Sequence, residues 1–276
     1  MAPRIQHRKG SIMTTHAERF SLAGQAALII GGTSGIGLEI AVGLHQAGAR
    51  IAVVGRSSEK LAAAVQRLKD AGASPEAFQA DVADPMALEH LVIEATKAFG
   101  AIDILVNSQG TTTLKAAVDV TREDYAGIMD TNMTSLYFAC TRVGRDMLAR
   151  GSGAIINIAS LAAHRGMPLC SPYTVSKHGV LGLTRALASE WATSGVRVNA
   201  ISPGFFMTNL NRDKMRQDRK EAALRRTPAR RFGDLEELVG AAVFLASPAA
   251  LFINGQTIAV DGGFLAAGLD GPELTG

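Results

Sequence analysis

Tyr173 and Lys177 lie four residues apart in Tyr173-Thr174-Val175-Ser176-Lys177, and Ser160 stands thirteen residues upstream of the tyrosine. On a helix that spacing stacks the phenol and the ammonium on one face. A phenol, an ammonium and a hydroxyl that converge on one carbonyl make a proton-transfer site, in which the phenol gives or takes the proton. Tyr-x-x-x-Lys also arises by chance in many chains, so its weight depends on its surroundings.

A second stretch binds rather than reacts. Leu28-Ile29-Ile30-Gly31-Gly32-Thr33-Ser34-Gly35-Ile36-Gly37 sets a glycine-rich turn between a first strand and a first helix. Such a turn bends sharply, admits a pyrophosphate to the backbone and offers it the N–H groups of the helix start. Gly31, Thr33, Ser34, Gly35, Ile36 and Gly37 are therefore the candidate phosphate cradle.

The elements that must position these residues are readable from periodicity. Short apolar runs at Ala26–Ile30, Arg50–Val54, Glu76–Ala80, Ile102–Val106, Ala154–Ala159, Val196–Ile201 and Thr257–Val260 predict seven strands alternating with helices. Their apolar character on both faces is that of a parallel sheet covered by helices on each side. Helices are expected over Gly35–Gln46, Ser57–Ala71, from Asp84-Pro85 to Gly100, over Thr121–Ala149 as one long helix, and from Ser171-Pro172 to about Thr193, the last carrying Tyr173 and Lys177. The fold class expected is α/β: a single doubly wound Rossmann-like domain with a seven-stranded parallel sheet over residues 20–276, after a flexible N-terminal tail at 1–19. Residues 205–232 break the rhythm with Phe205-Phe206-Met207 followed by a charged stretch; a two-helix insertion serving as a substrate lid fits there.

Composition narrows the class further. The chain has 276 residues, 47% hydrophobic content, 29 glycines and a formal net charge of +3, an α/β profile and not a disordered one. The basic clusters Arg4, Arg8, Lys9 and Arg225, Arg226, Arg230, Arg231 lack interleaved aromatics, which argues for a solvated surface and against nucleic acid. Cys140 and Cys170 read as free thiols of a reducing cytoplasm, and the six histidines show no metal-ligand spacing, so no metal is expected. Residues 1–20 are polar and basic without an apolar core, and no segment reaches membrane-spanning length, so the expectation is a cytoplasmic protein with no membrane partner.

The spacing Gly31-x-x-x-Gly35-x-Gly37, with Ser160, Tyr173 and Lys177, resembles the short-chain dehydrogenase/reductase family, and the likeness runs over residues 20–265. Asp81-Val82 matches the family's adenine contact, Asn107-Ser108-Gln109-Gly110 stands where Asn-Asn-Ala-Gly is usual, Asn132 matches the helical active-site Asn, and Pro203-Gly204 with Thr208 matches the segment that holds the nicotinamide. Two positions depart from the pattern. Ile30 replaces a usual Thr whose hydroxyl ties the turn to the fourth strand, and Ser108-Gln109 replaces Asn-Ala, putting a larger amide at the pocket floor.

The resemblance implies hydride exchange between a nicotinamide and a carbonyl or secondary alcohol. Tyr173 is then the acid/base, Ser160 polarises the carbonyl oxygen, and Asn132 anchors a water that relays protons. A phenol of pKa about 10 is mostly protonated near neutrality, so Lys177 is expected to lower it, besides bonding the nicotinamide ribose. At the end of the second strand Val54-Gly55-Arg56-Ser57 has no carboxylate to repel a 2′-phosphate, and Arg56 and Ser57 suit one, favouring NADP(H) over NAD(H). Arg56 stacked on adenine in an NAD enzyme is the alternative. Gln109, His164, Arg165, Phe205 and Phe206 are candidate substrate contacts, the His-Arg pair for a substrate carboxylate. The segments Arg226-Thr227-Pro228-Ala229-Arg230 and Asn254 to Leu265 resemble gluconate and deoxygluconate dehydrogenases of the family, implying a sugar acid or polyol. A 3-oxoacyl-[acyl-carrier-protein] reductase shares the same frame and suits the apolar lid. From another class, a non-catalytic NADP-binding sensor would have lost the Tyr or the Lys. Family members are usually homotetramers or homodimers.

Overall fold

Seven parallel strands form the centre of the molecule, in the order β3-β2-β1-β4-β5-β6-β7. The coordinates are a computed structural model and describe residues 15–208 and 215–267. The strands are β1 Ala26–Ile30, β2 Arg50–Gly55, β3 Glu76–Gln79, β4 Ile104–Asn107, β5 Gly153–Ile158, β6 Val196–Pro203 and β7 Thr257–Val260. β1, β4 and β6 are buried along their whole length, as two-sided helix cover requires. β3 departs from that expectation: at the sheet edge its residues are mostly exposed.

The helices are α1 His16–Phe20, α2 Gly35–Gln46, α3 Ser58–Asp70, α4 Pro85–Phe99, α5 Arg122–Met129, α6 Ser135–Arg150, α7 Ser171–Trp191, α8 Gln217–Arg226 and α9 Val239–Ala246. One core, built on Leu28, Leu105, Leu136, Met147, Val180 and Val198, lies beneath α4, α6 and α7. The other, with Ile29, Ile40, Leu44, Ile51, Leu68 and Leu245, lies beneath α2, α3 and α9. The expected tail at 1–19 closes in the short helix α1, held by a Thr15–Glu18 capping box; residues 1–14 lie outside the described residues. No helix of the described residues is long and apolar enough to cross a membrane.

Two expected helices differ in outline. Ser57 is not the first residue of α3 but its N-cap, accepting from Lys60 N at 3.3 Å. The helix expected over 121–149 is broken into α5 and α6 by a π-helical turn at Asp130–Thr134. In the 205–232 segment the described helix is α8, and residues 209–214 lie outside the described residues. The ends of the segment meet: Gly233 N donates to Phe205 O at 2.9 Å, and Ala229 N donates to Gly262 O at 3.0 Å.

β1 lies between β2 and β4, so the connections leave it in opposite directions. At such a switch point the strand ends open a crevice where ligands bind. The residues expected to do chemistry all follow the carboxyl ends of strands or sit on helices beside them.

Candidate active site

The glycine turn after β1 is shaped by close approach. Gly31 adopts φ 76° and Gly35 φ 54°, a left-handed region that only glycine enters without strain. A Cβ on Gly31 would stand 2.7 Å from Gln109 N, and one on Gly37 would stand 2.3 Å from Gly31 O. The turn is thus packed against the loop after β4, with main chain where a side chain would otherwise project. Ser34 is the N-cap of α2 and makes no side-chain cap bond, which leaves its hydroxyl and the first-turn N–H groups for an anion. Ile30 gives up no anchorage for its missing hydroxyl: it is buried, and its carbonyl accepts from Ser108 N at 2.8 Å.

Thr33 packs on the end of β2, since a Cβ at Gly55 would meet Thr33 Cγ2 at 2.4 Å. There Arg56 emerges, exposed, with Nη1 3.7 Å from Asp81 Oδ2. An exposed ion pair of this length contributes roughly 0–1 kcal/mol, so Asp81 holds the guanidinium only loosely. Val82 is buried in the core. On the opposite side of the turn, a Cβ at Gly35 would lie 3.6 Å from Thr208 Cγ2, so the chain after β6 returns to the start of α2. Gly204, following Pro203, is bonded to Val260 O at 2.8 Å. Cradle, exposed Arg56 and the Thr208 return together fit a dinucleotide.

The reactive cluster lies next to this cradle. Lys177 is 3% exposed and donates from Nζ to Ile158 O at 2.7 Å, where β5 ends. Its Nζ lies 5.7 Å from the Tyr173 ring centroid. A Cβ on Gly110 would stand 3.6 Å from Asn132 Oδ1 and 3.7 Å from Lys177 Nζ. Gln109, whose backbone closes over the glycine turn, and Gly110, which lies beside Lys177 and Asn132, are adjacent residues; they join the phosphate cradle to the acid/base cluster.

Asn132 sits on the π-helical turn and is fully buried. Its Nδ2 donates to Thr111 O at 2.9 Å and to Ser176 Oγ at 3.1 Å, and its Oδ1 accepts from Thr111 N at 2.7 Å. Ser176 Oγ in turn donates to Tyr173 O at 2.7 Å. The side chain of Asn132 is therefore spent on fixing Tyr173's helix and the 110–111 loop, and has no N–H left for the relay water expected of it. Ser176 and Thr111 went unnoticed in the sequence; the one available signal was the position of Ser176 three residues after Tyr173.

Ser160 caps a short turn at Leu161–Ala163, its Oγ accepting from Ala162 N at 3.1 Å. That bond uses only the oxygen as acceptor, so its single O–H can turn to the Tyr173 phenol or to a substrate oxygen. Burial raises the Tyr173 phenol above its ordinary value, and a hydrogen bond with Ser160 opposes the rise. This corrects the expectation that Lys177 depresses the phenol: burial dominates, and it also weakens the lysine, lowering it from 10.5 to about 8.

Several other candidates are turned elsewhere. Asn107 is buried, its Nδ2 donating to Asn157 Oδ1 at 2.9 Å and to Cys140 Sγ at 3.2 Å, so the amide N–H groups tie β4 to β5 and α6 while Oδ1 has no partner. Gln109 points inward to Ser135 Oγ at 3.3 Å. His164 Nε2 lies 2.9 Å from the buried Ser202 Oγ, and burial lowers its pKa, with His178 and Arg185 adding to the effect and Asp261 opposing it. Arg165 is exposed. Phe206 is in the core, and Phe205 packs edge-on against Phe264 with centroids 5.6 Å apart.

A parallel sheet with a glycine cradle at its switch point, beside a Ser-Tyr-Lys cluster, defines a nucleotide-dependent oxidoreductase, and residues 31–265 match the family model described as enoyl-(acyl carrier protein) reductase. The chain belongs to the short-chain dehydrogenase/reductase family, enzymes that act on CH–OH groups and their carbonyls. It is 42% identical over 250 residues to a 2-dehydro-3-deoxy-D-gluconate 5-dehydrogenase of Bacillus subtilis (strain 168), spanning 90% of this chain and 97% of that protein. It is 38% identical over 251 residues to a gluconate 5-dehydrogenase of Gluconobacter oxydans (strain 621H), spanning 90% and 98%. A crystal structure of a gluconate 5-dehydrogenase from Burkholderia cenocepacia J2315 in complex with NADP and tartrate superposes with a TM-score of 0.88 at 38% identity, covering 92% of this chain and 100% of that one.

Proposed function

We propose that the protein is a cytoplasmic NADP(H)-dependent oxidoreductase that interconverts a secondary alcohol and a carbonyl on a sugar acid or polyol, with Tyr173 as acid/base. The observation that carries the reading is the junction at Gln109-Gly110: the backbone of one residue closes on the glycine cradle, and a Cβ on the next would stand 3.7 Å from Lys177 Nζ and 3.6 Å from Asn132 Oδ1. Bound in that cradle, the nicotinamide dinucleotide supplies the hydride chemistry. Tyr173 protonates the nascent alkoxide in reduction and removes the hydroxyl proton in oxidation. Its buried phenol holds the proton at neutral pH, the state that reduction uses. Ser160, fixed by Ala162 N, donates its O–H to the reacting oxygen. Lys177 supplies positive charge behind the phenol, and Asn132 with Ser176 fixes the first turns of α7.

The sugar-acid relatives support the substrate class. The 3-oxoacyl reading drew on an apolar lid, and it loses ground because Phe205 and Phe206 are taken up by packing. The test is a coenzyme-coupled panel of aldonates, alditols and 3-oxoacyl thioesters assayed with both coenzymes. Turnover of an aldonate or alditol with NADP is expected. Exclusive turnover of thioesters would reverse the substrate assignment, and binding of NADPH without turnover of anything would revive the sensor. For Arg56→Asp we expect the coenzyme preference to move from NADP toward NAD by about tenfold or more, from loss of a charge-assisted phosphate contact. An unchanged ratio of kcat/KM for the two coenzymes removes Arg56 from the reading.

A further inference from the structure

We infer that Arg219 on α8 is the receptor for a substrate carboxylate, so that sugar acids are preferred to neutral polyols; this rests on the reading of the protein as a sugar-acid or polyol oxidoreductase. Arg219 is half-buried and donates from Nη2 to Cys170 Sγ at 3.5 Å. Cys170 is the N-cap of α7, three residues before Tyr173. The guanidinium thus reaches from the lid helix onto the segment that leads into the acid/base tyrosine.

Its charge is unmatched where it stands. A neutral thiol is a weak acceptor for a guanidinium, and no carboxylate lies within ion-pair distance of Arg219 among the described residues. Arg216 and Arg231 have acidic partners, Asp218 at 3.1 Å and Glu237 through two nitrogens; Arg225 and Arg226 have none among the described residues but stand in the last turn of α8, where the helix dipole favours a cation. Arg219 also sits in the first turn of α8, where the helix dipole disfavours a cation. A position that local electrostatics disfavours, and that no internal anion compensates, is satisfied by an anion arriving from outside.

The segment beneath is held for this purpose. Leu169, next to Cys170, takes φ 65°, a strained value for a leucine, and its carbonyl accepts from Lys115 N at 2.9 Å. Of the sequence's two candidates for the carboxylate, His164 has Nε2 engaged by Ser202, and Arg165 stands exposed. A planar guanidinium binds a carboxylate through two parallel hydrogen bonds; a hydroxyl chain offers it nothing comparable. With the carbonyl or alcohol carbon at Tyr173 and the acid end at Arg219, the enzyme distinguishes the two ends of its substrate.

The test compares wild type, Arg219→Gln and Arg219→Lys on a six-carbon aldonate and on the alditol of the same length, with calorimetry of tartrate binding to each enzyme in the presence of NADP+. Loss of a bidentate charged contact predicts that Arg219→Gln raises the aldonate KM by about 10- to 100-fold. The coenzyme KM and the alditol kinetics stay unchanged, tartrate binding weakens in parallel, and Arg219→Lys recovers part of each. Equal losses on aldonate and alditol, or an unchanged aldonate KM, overturn the inference. If wild type turns over neither compound, the parent reading fails and tartrate decides alone: weakening in Arg219→Gln upholds the anion site, and unaltered binding overturns it.

Discussion

Burial lowers the Lys177 ammonium from 10.5 to about 8, which amounts to about 3 kcal/mol against the charged form. The Ile158 carbonyl, at 2.7 Å, returns part of that cost. Folded Lys177 releases its proton near pH 8 while the unfolded side chain keeps it to about 10.5. Between those values the unfolded state binds more protons, so this group's contribution to stability rises with pH and is least favourable below the folded value. Lys177→Met is therefore expected to unfold at an equal or higher denaturant midpoint than wild type at pH 7, while losing turnover. The wild type should close the gap as pH rises toward 10. A variant markedly less stable at pH 7 would show that the lysine is a structural brace and not a charge held for chemistry.

At the scale of elements, the π-helical turn is the feature that sets Asn132 against the 110–111 loop and Ser176. Asn132→Ala leaves the buried Ser176 Oγ short of a partner, which costs about 1–3 kcal/mol, while Thr111 N and O, on an exposed residue, turn to water. Chemical denaturation should show a drop of about 1–3 kcal/mol, with reduced turnover at unchanged coenzyme affinity. A loss below about 1 kcal/mol would deny Asn132 its bracing role. The turn itself was hidden in the sequence: Asp130-Thr131-Asn132-Met133-Thr134 contains neither Gly nor Pro to mark a break. The strands were legible because most are buried on both faces and so read as unbroken apolar runs, with the edge strands β3 and β7 the exceptions. The glycine cradle and the Tyr173–Lys177 spacing were equally plain. What pattern did not reveal was side-chain direction: Asn107 and His164 turn to Asn157 and Ser202, partners far away in sequence that only the fold brings near.

At the scale of the whole molecule, aromatic side chains are among the large apolar groups left exposed: Tyr125 on α5, the edge-packed pair Tyr137 and Phe138 on α6, and Phe252 beside Leu251 before β7. Exposed aromatic groups of this kind mark contact surfaces, and they suit the homodimer or homotetramer expected of the family. Light scattering of the native protein should give a mass of two or four chains, and Phe138→Asp should lower it; a monomeric wild type would contradict the proposal. The proposed reaction depends on a single proton carrier, Tyr173. Tyr173→Phe removes only the phenolic oxygen, so fluorescence titration should give NADPH affinity close to wild type. Turnover of whichever substrate the panel identifies should fall by about 100- to 10,000-fold. Activity within a few-fold of wild type, with coenzyme still bound, would contradict the assignment of Tyr173 as the acid/base.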